Sequence, residues 1–148
     1  MASGAKIGKK TRFLSETVAG GGVYAAVAEV KSIGGPSFSR DSVEATNCDS
    51  ADDHEEHIPG LAAGGEISLV LNFRPEHTSQ GTSAGLKKDF DDAIVKGYRI
   101  EWPQFANTPT MTVQGFLTGY EVTSATKDLL TVAVKIKVTG KPVLANFA

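Results

Sequence analysis

Residues 129–139 read Leu-Leu-Thr-Val-Ala-Val-Lys-Ile-Lys-Val-Thr. Leu130, Val132, Val134, Ile136 and Val138 fall on one side of an extended chain, and Thr131, Ala133, Lys135, Lys137 and Thr139 on the other. Period-two alternation marks a half-buried strand and argues against a helix, whose apolar positions recur every three to four residues. At about 3.3 Å per residue the run extends over roughly 30 Å, longer than most strands, so it requires an equally extended partner.

The partner precedes it. Met111 to Thr123 carries Phe116, Tyr120 and Val122 on one parity, interrupted by Thr118, and Ser124 to Asp128 forms a polar turn. Apolar positions must face the same way, because a one-residue slip turns every side chain over. A three-residue loop at 125–127 meets that condition by pairing Val122 with Leu130, Tyr120 with Val132, Thr118 with Val134 and Phe116 with Ile136. The opposite face then sets Glu121, Gly119, Leu117 and Gly115 against Thr131, Ala133, Lys135 and Lys137, a thin and largely polar surface. The loop contains no glycine to take a left-handed conformation, so its length stays open.

The 148-residue chain is long enough for one domain with a substantial core. Its charged fraction is 22% and its net charge -2, which argues against gripping nucleic acid through clustered Lys and Arg. No run approaches the ~18 apolar residues of a membrane span. The N-terminal Met-Ala-Ser-Gly-Ala-Lys lacks the apolar centre of a secretory signal. The single Cys48 excludes an intrachain disulfide and is expected to be a small, buried or half-buried side chain. No catalytic triad, readable carboxylate pair or nucleotide loop is present, so the chain reads as a non-enzyme.

The other elements lie on either side of an acidic stretch. Residues 1–11, with Lys6, Lys9 and Lys10, read as a flexible N-terminal arm. A first strand is expected over Arg12 to Val18, a glycine turn at 19–22, a second strand over Val23 to Ile33, and a twisted or edge strand over Ser37 to Thr46. Glu66 to Phe73 reads as a strand with Ile67, Leu69, Leu71 and Phe73 on one face. Ser83 to Lys96 reads as the one helix, with Leu86, Phe90, Ala93 and Ile94 as its apolar stripe, Ser83 as N-cap and Gly97 past its end. Tyr98 to Trp102 is a further strand. Residues 141–148 form a C-terminal arm whose Val143, Leu144 and Phe147 have no evident place in one sheet.

Residues 47–65 read as an acidic loop and flexible connector. Asp49, Asp52, Asp53, Glu55 and Glu56 cluster with His54 and His57. The His-Glu-Glu-His spacing is one residue short of the zinc-binding helical pair, and no glycine and closing Glu complete a calcium loop. A metal-binding module or metal-dependent enzyme built on His54 and His57 is therefore the minor reading. A solvated acidic loop, or one that becomes an interface on assembly, is the main one.

Four stretches carry a family resemblance: Val43-Glu-Ala-Thr-Asn-Cys-Asp-Ser50, Ile58-Pro-Gly-Leu-Ala-Ala-Gly-Gly-Glu-Ile-Ser68, Gly97 to Pro103, and Gly115-Phe-Leu-Thr-Gly119 with the closing Val138-Thr-Gly-Lys-Pro142. Together they resemble the tail tube proteins of long-tailed bacteriophages, the lambda-like major tail proteins in particular. The resemblance implies a mainly β fold, a β-sandwich or half-barrel with one flanking helix, as a single domain over 1–148 without the immunoglobulin-like addition of some members. It implies a virion protein that forms stacked hexameric rings, assembled in the host cytoplasm around a tape-measure protein. Tail terminator and tail-tip or baseplate proteins are the implied partners, and double-stranded DNA later passes through the bore without sequence-specific binding. It implies no cofactor, metal or membrane. The acidic loop and the two arms are the implied ring-to-ring contacts. Glu121, Thr131, Lys135 and Lys137 are the candidate lumen-facing residues of the hairpin, and Glu121 or a neighbour's acid is expected to offset the two lysines. A tube protein of a contractile, tailocin or type VI secretion device is the alternative within the same architecture.

Overall fold

The computed structural model describes residues 4–147. Met1 to Ser3 of the expected N-terminal arm and Ala148 of the C-terminal arm lie outside the described residues. Among the described residues the chain forms nine strands and one α-helix: β1 Arg12–Glu16, β2 Tyr24–Ala26, β3 Val30–Gly34, β4 Ser39–Glu44, β5 His57–Ala63, β6 Glu66–Asn72, α1 Leu86–Asp91, β7 Lys96–Glu101, β8 Thr110–Thr123 and β9 Thr131–Ala145. Seven strands make one antiparallel sheet in the order β2-β1-β7-β8-β9-β6-β3, and β4 and β5 make a separate ribbon.

The expected strand over 23–33 is divided into β2 and β3, which occupy opposite edges of the sheet. The break falls where Val27 turns into the core and Glu29 takes a positive φ of 63°. Only four residue steps separate Ala26 from Val30, so the two edges lie within about 14 Å of each other. The sheet is therefore curled into a half-barrel. Its concave face holds the core: Phe13, Ile67, Leu69, Leu71, Tyr98, Ile100, Val113, Leu117, Val132, Val134, Ile136 and Val138. Tyr98 stacks on Phe13 at 5.8 Å between ring centroids. Gln80 bridges the seam, donating to the carbonyls of Ala28 and Asn72 and accepting the Arg74 N–H. Ser79 Oγ accepts the Ala28 N–H and contacts His77 Nδ1 at 2.8 Å, so the loop after β6 is fastened to the β2–β3 link.

The central hairpin is longer and more irregular than the sequence predicts. The face of β9 is as expected, with Val132, Val134, Ile136 and Val138 buried. Its register differs: Val122 pairs with Val132 and Tyr120 with Val134, across a connection spanning residues 124–130. Without a glycine to tighten it, the turn is wide. Thr118 is then an extra residue, a bulge between Leu117↔Ile136 and Gly119↔Lys135. The bulge reverses the parity below it, so Leu117 and Gly115 turn inward and Phe116 lies opposite Lys137. A second irregularity, at Gly140-Lys141-Pro142, lets β9 continue to Ala145, pairing Val143 with Thr112 and Leu144 with Met111. The C-terminal arm is thus largely strand.

The helix is shorter than expected. It is capped by Gly85 without a side-chain bond, not by Ser83, and ends at Asp91 with Asp92 as its C-cap and Ala93 at φ 50°. Lys96 opens β7 instead. Leu86 is buried, but Phe90 is 36% exposed and Asp89 takes the inward place. Lys87–Asp91 and Lys88–Asp92 pair at 2.8 and 3.0 Å on the wet side, as the charge pattern predicts.

The expected flexible connector at 60–65 is mostly strand, since His57–Ala63 pairs with Ser39–Glu44. Gly35 and Gly65, at φ 84° and 70°, stand where the chain leaves and re-enters the sheet, and a Cβ there would collide with Glu66 and Ser37 backbone respectively. These two glycines set the ribbon off from the sheet. The ribbon has little cover: β4 is exposed throughout, and Leu61 of β5 is 85% exposed.

Candidate assembly surfaces

Within the central hairpin, two stretches of strand edge have no strand beside them among the described residues. β8 pairs with β7 only through Gly115, so its outer edge over 116–123 is open. β9 pairs with β6 only over Thr131–Lys137, and Val138 N–H reaches the Gly65 carbonyl, so its edge over 139–145 is open. The open stretches lie on opposite sides of the hairpin and at opposite ends of it.

The convex face of the hairpin carries the residues predicted for a lumen wall. Glu121, Lys135 and Lys137 are exposed and Thr131 is half-buried. Lys137 stands across the register from Glu66, and Lys135 from Ser68 and the bare Gly119. The acid beside Lys137 is therefore Glu66, where the sequence pointed to Glu121; Glu121 stands across from Ala133.

The acidic loop closes the far end of the ribbon. Thr46 Oγ1 accepts the Glu56 N–H, Asn47 Oδ1 accepts the Asp49 N–H, and Ala51–Asp53 makes a single 3-10 turn. Asp49, Asp52, Asp53, His54, Glu55, Glu56 and His57 are all exposed. His57 Nε2 lies 3.3 Å from Glu55 Oε2. Among the described residues no three His, Cys, Asp or Glu side chains converge on a metal-sized site. Cys48 lies here and is exposed, not buried as expected: the loop has no core to enter.

The two termini meet at the opposite end of β7. Gln104 Nε2 donates to the Ile7 carbonyl and to Thr11 Oγ1, holding the N-terminal arm beside the loop after β7, while Lys6, Lys9 and Lys10 stay exposed. Phe147 meets Trp102 edge-on at 5.9 Å. With Phe105 and Met111 they line an apolar cleft, while Val143 and Leu144, consecutive on β9 and so facing opposite ways, are exposed. Val143, Leu144 and Phe147 stand out in the sequence as unplaced apolar residues; Trp102 and Phe105 do not, their one signal being an aromatic pair flanking Pro103-Gln104.

Two buried polar arrangements hold these surfaces in place. Lys96 Nζ lies 2.8 Å from Asp89 Oδ2, and Tyr98 OH lies 3.4 Å from the same oxygen. Burial pushes the Asp89 carboxyl above its ordinary range, with Lys96 partly opposing, and burial beside Asp89 pushes the Tyr98 phenol up. On the convex side Glu16 is buried and accepts the backbone N–H groups of Gly22 and Gly97, pinning the glycine turn to β7. Burial raises its carboxyl, and the N–H groups of Gly22, Gly97 and Gly20, with the Lys96 charge, more than reverse this, leaving it below the ordinary value.

Comparison with known proteins gives a consistent picture. The family described as lambda phage tail tube protein matches residues 14–145. No curated protein sequence matches the chain. Among solved structures, the tail of an empty gene transfer agent particle, refined with C6 symmetry, is similar with a TM-score of 0.75 at 17% identity, covering 95% of this chain and 99% of that one. The SPP1 tail tube gives 0.70 at 9% identity over 93% and 77%. A sheath/tube terminator of an extracellular contractile injection system gives 0.70 at 14% identity over 98% and 99%. At these identities the structural likenesses speak for the fold.

Proposed function

The chain belongs to the lambda phage tail tube protein family, and we propose that its copies close edge to edge into rings that stack into the hollow wall of a tail. The observation that carries this is the offset pair of open edges. β9 of one copy can take β8 of the next in antiparallel register over 139–145 and 116–123, continuing the hairpins around a ring and covering both open stretches. Six copies per ring is the number supported by the sixfold tail of similar fold. The convex face, with Glu121, Thr131, Lys135 and Lys137, lines the bore. There Glu66 and Glu121 offset the lysines, so that DNA passes without being held. The acidic loop and the two arms join ring to ring. In this reading the rings form in the host cytoplasm around a tape-measure protein, between a tip or baseplate and a terminator, and remain in the virion. The chain acts as a single domain with a structural role. A tube in a sheathed, contractile device is the second reading, favoured by the fold shared with the contractile-system terminator; a sheath gene beside this one would distinguish it.

Hydrogen exchange tests the edge pairing. In monomers the amides of 116–123 and 139–145 that point away from the hairpin should exchange quickly. In rings and tubes, identified by electron microscopy, they should be protected. Protection that is the same in both states would reject edge pairing, and protein that stays monomeric at every concentration and with every partner factor would reject the tube.

A further inference from the structure

The curl of the sheet leaves a cleft of about 640 Å³ at its seam, where β3 approaches β7. Ile33, Ile100 and Trp102 form its apolar wall, and Lys9, Lys10 and Lys31 stand on its rim. No carboxylate lines it. None of these three lysines makes an ion pair among the described residues. The chain carries the opposite charge elsewhere: Asp49, Asp52, Asp53 and Glu56 are likewise unpaired, and Glu55 meets only His57. Gly35 lies on the cleft, and β4 carries the chain about 20 Å beyond that point before the acidic loop begins. The loop is therefore held off from the cleft of its own subunit, and both charged surfaces are left unsatisfied in one molecule.

We propose that the cleft receives the acidic loop of a second copy, displaced along the tube axis, with the loop's carboxylates on Lys9, Lys10 and Lys31. This rests on the tube reading and adds to it a specific acceptor. Complementary charge of this kind orients the encounter and rejects wrong registers: a loop meeting a loop, or a cleft a cleft, sets like charges together. The occupant is a copy of this chain because one sequence supplies both halves with opposite sign, three lysines in the cleft and five carboxylates in the loop. It also explains why the N-terminal arm is fastened by Gln104, since an untethered arm would leave two of the three lysines without a fixed position.

The test is a pair of charge reversals in the full chain, read as the critical concentration for tube growth. Lys9→Glu/Lys10→Glu/Lys31→Glu should raise it about tenfold or more, as should Asp52→Lys/Asp53→Lys/Glu55→Lys, and the combined variant should return to within about threefold of the wild type. Circular dichroism establishes that each variant folds. A second reading of the same contact uses the Lys31→Cys chain, which keeps Lys9 and Lys10: oxidation of its tubes should give a ladder of disulfide-linked multimers through Cys48, absent when Cys48→Ser is added. Unchanged assembly of the lysine reversal, no recovery in the combined variant, or a missing ladder overturns the docking while leaving wild-type tubes intact. A link between copies through position 31 of each, which would survive in the Cys48→Ser chain, overturns it as well. A wild type that forms neither rings nor tubes overturns the tube reading, and the docking with it.

Discussion

Asp89→Asn should unsettle the whole concave face. Lys96 and Asp89 are 4% and 2% exposed and 2.8 Å apart. Neutralising the acid leaves an ammonium group buried without its counter-charge, at a cost of about 3–5 kcal/mol. A chain of this length is stable by roughly 7–15 kcal/mol, so the variant forfeits about a fifth or more of the total. At about 2–4 °C per kcal/mol the melting temperature falls by roughly 6–20 °C. The helix is fastened to the sheet through this pair, and it lies against β8, whose outer edge is proposed to receive the neighbouring subunit. Ring closure should therefore weaken along with stability. Thermal unfolding of the monomer at pH 7, followed by near-ultraviolet circular dichroism, reads the first effect. Lys96→Met in the same chain removes the stranded charge and should recover most of the loss, which separates charge burial from lost packing. A fall of less than about 2 °C in Asp89→Asn, or a double variant no better than the single one, would refute this account.

Glu16→Gln should flatten the acid limb of the stability curve. The native carboxyl lies below its ordinary value of 4.5, so its contribution is complete above that pH and is lost as pH falls through the native value. Wild type losing no more stability than the variant between pH 5 and about 3 would contradict this. Removing residues 143–148 takes away the pairing of Thr112, Met111 and Thr110 with β9, together with Phe147 on Trp102. The truncated chain should melt several degrees lower and fail to extend tubes; calorimetry and negative-stain images unchanged from wild type would reject both expectations.

How far the sequence could be read depended on whether a residue's partners were near it in the chain. β9 announced its faces because alternation is a local property and its apolar side meets the core along its length. The bulge at Thr118 was not legible, since it follows from a seven-residue connection that no glycine shortens. The helix was read too long because Ala93 and Ile94 fit a helical stripe, while Lys96, its expected last residue, is claimed by Asp89 at the start of β7. β4 was read as an edge strand, but its partner β5 was taken for loop and connector because Ile58, Leu61 and their neighbours cover nothing within the subunit. The same limit held for the surfaces. The acidic loop is a contiguous run and was seen. The cleft joins Lys9 and Lys10 to Lys31 only because the sheet curls, and no spacing along the chain signals that.

The offset between the two unpaired stretches of the hairpin has a geometric consequence. In any closed cylinder of strands, slant, shear and circumference are tied together. If neighbours meet through those stretches, the distance by which one copy slides along the next is fixed by where β7 stops on one flank and β6 on the other. The bore diameter is then encoded in each molecule, and a tail of constant calibre needs no template to gauge its width.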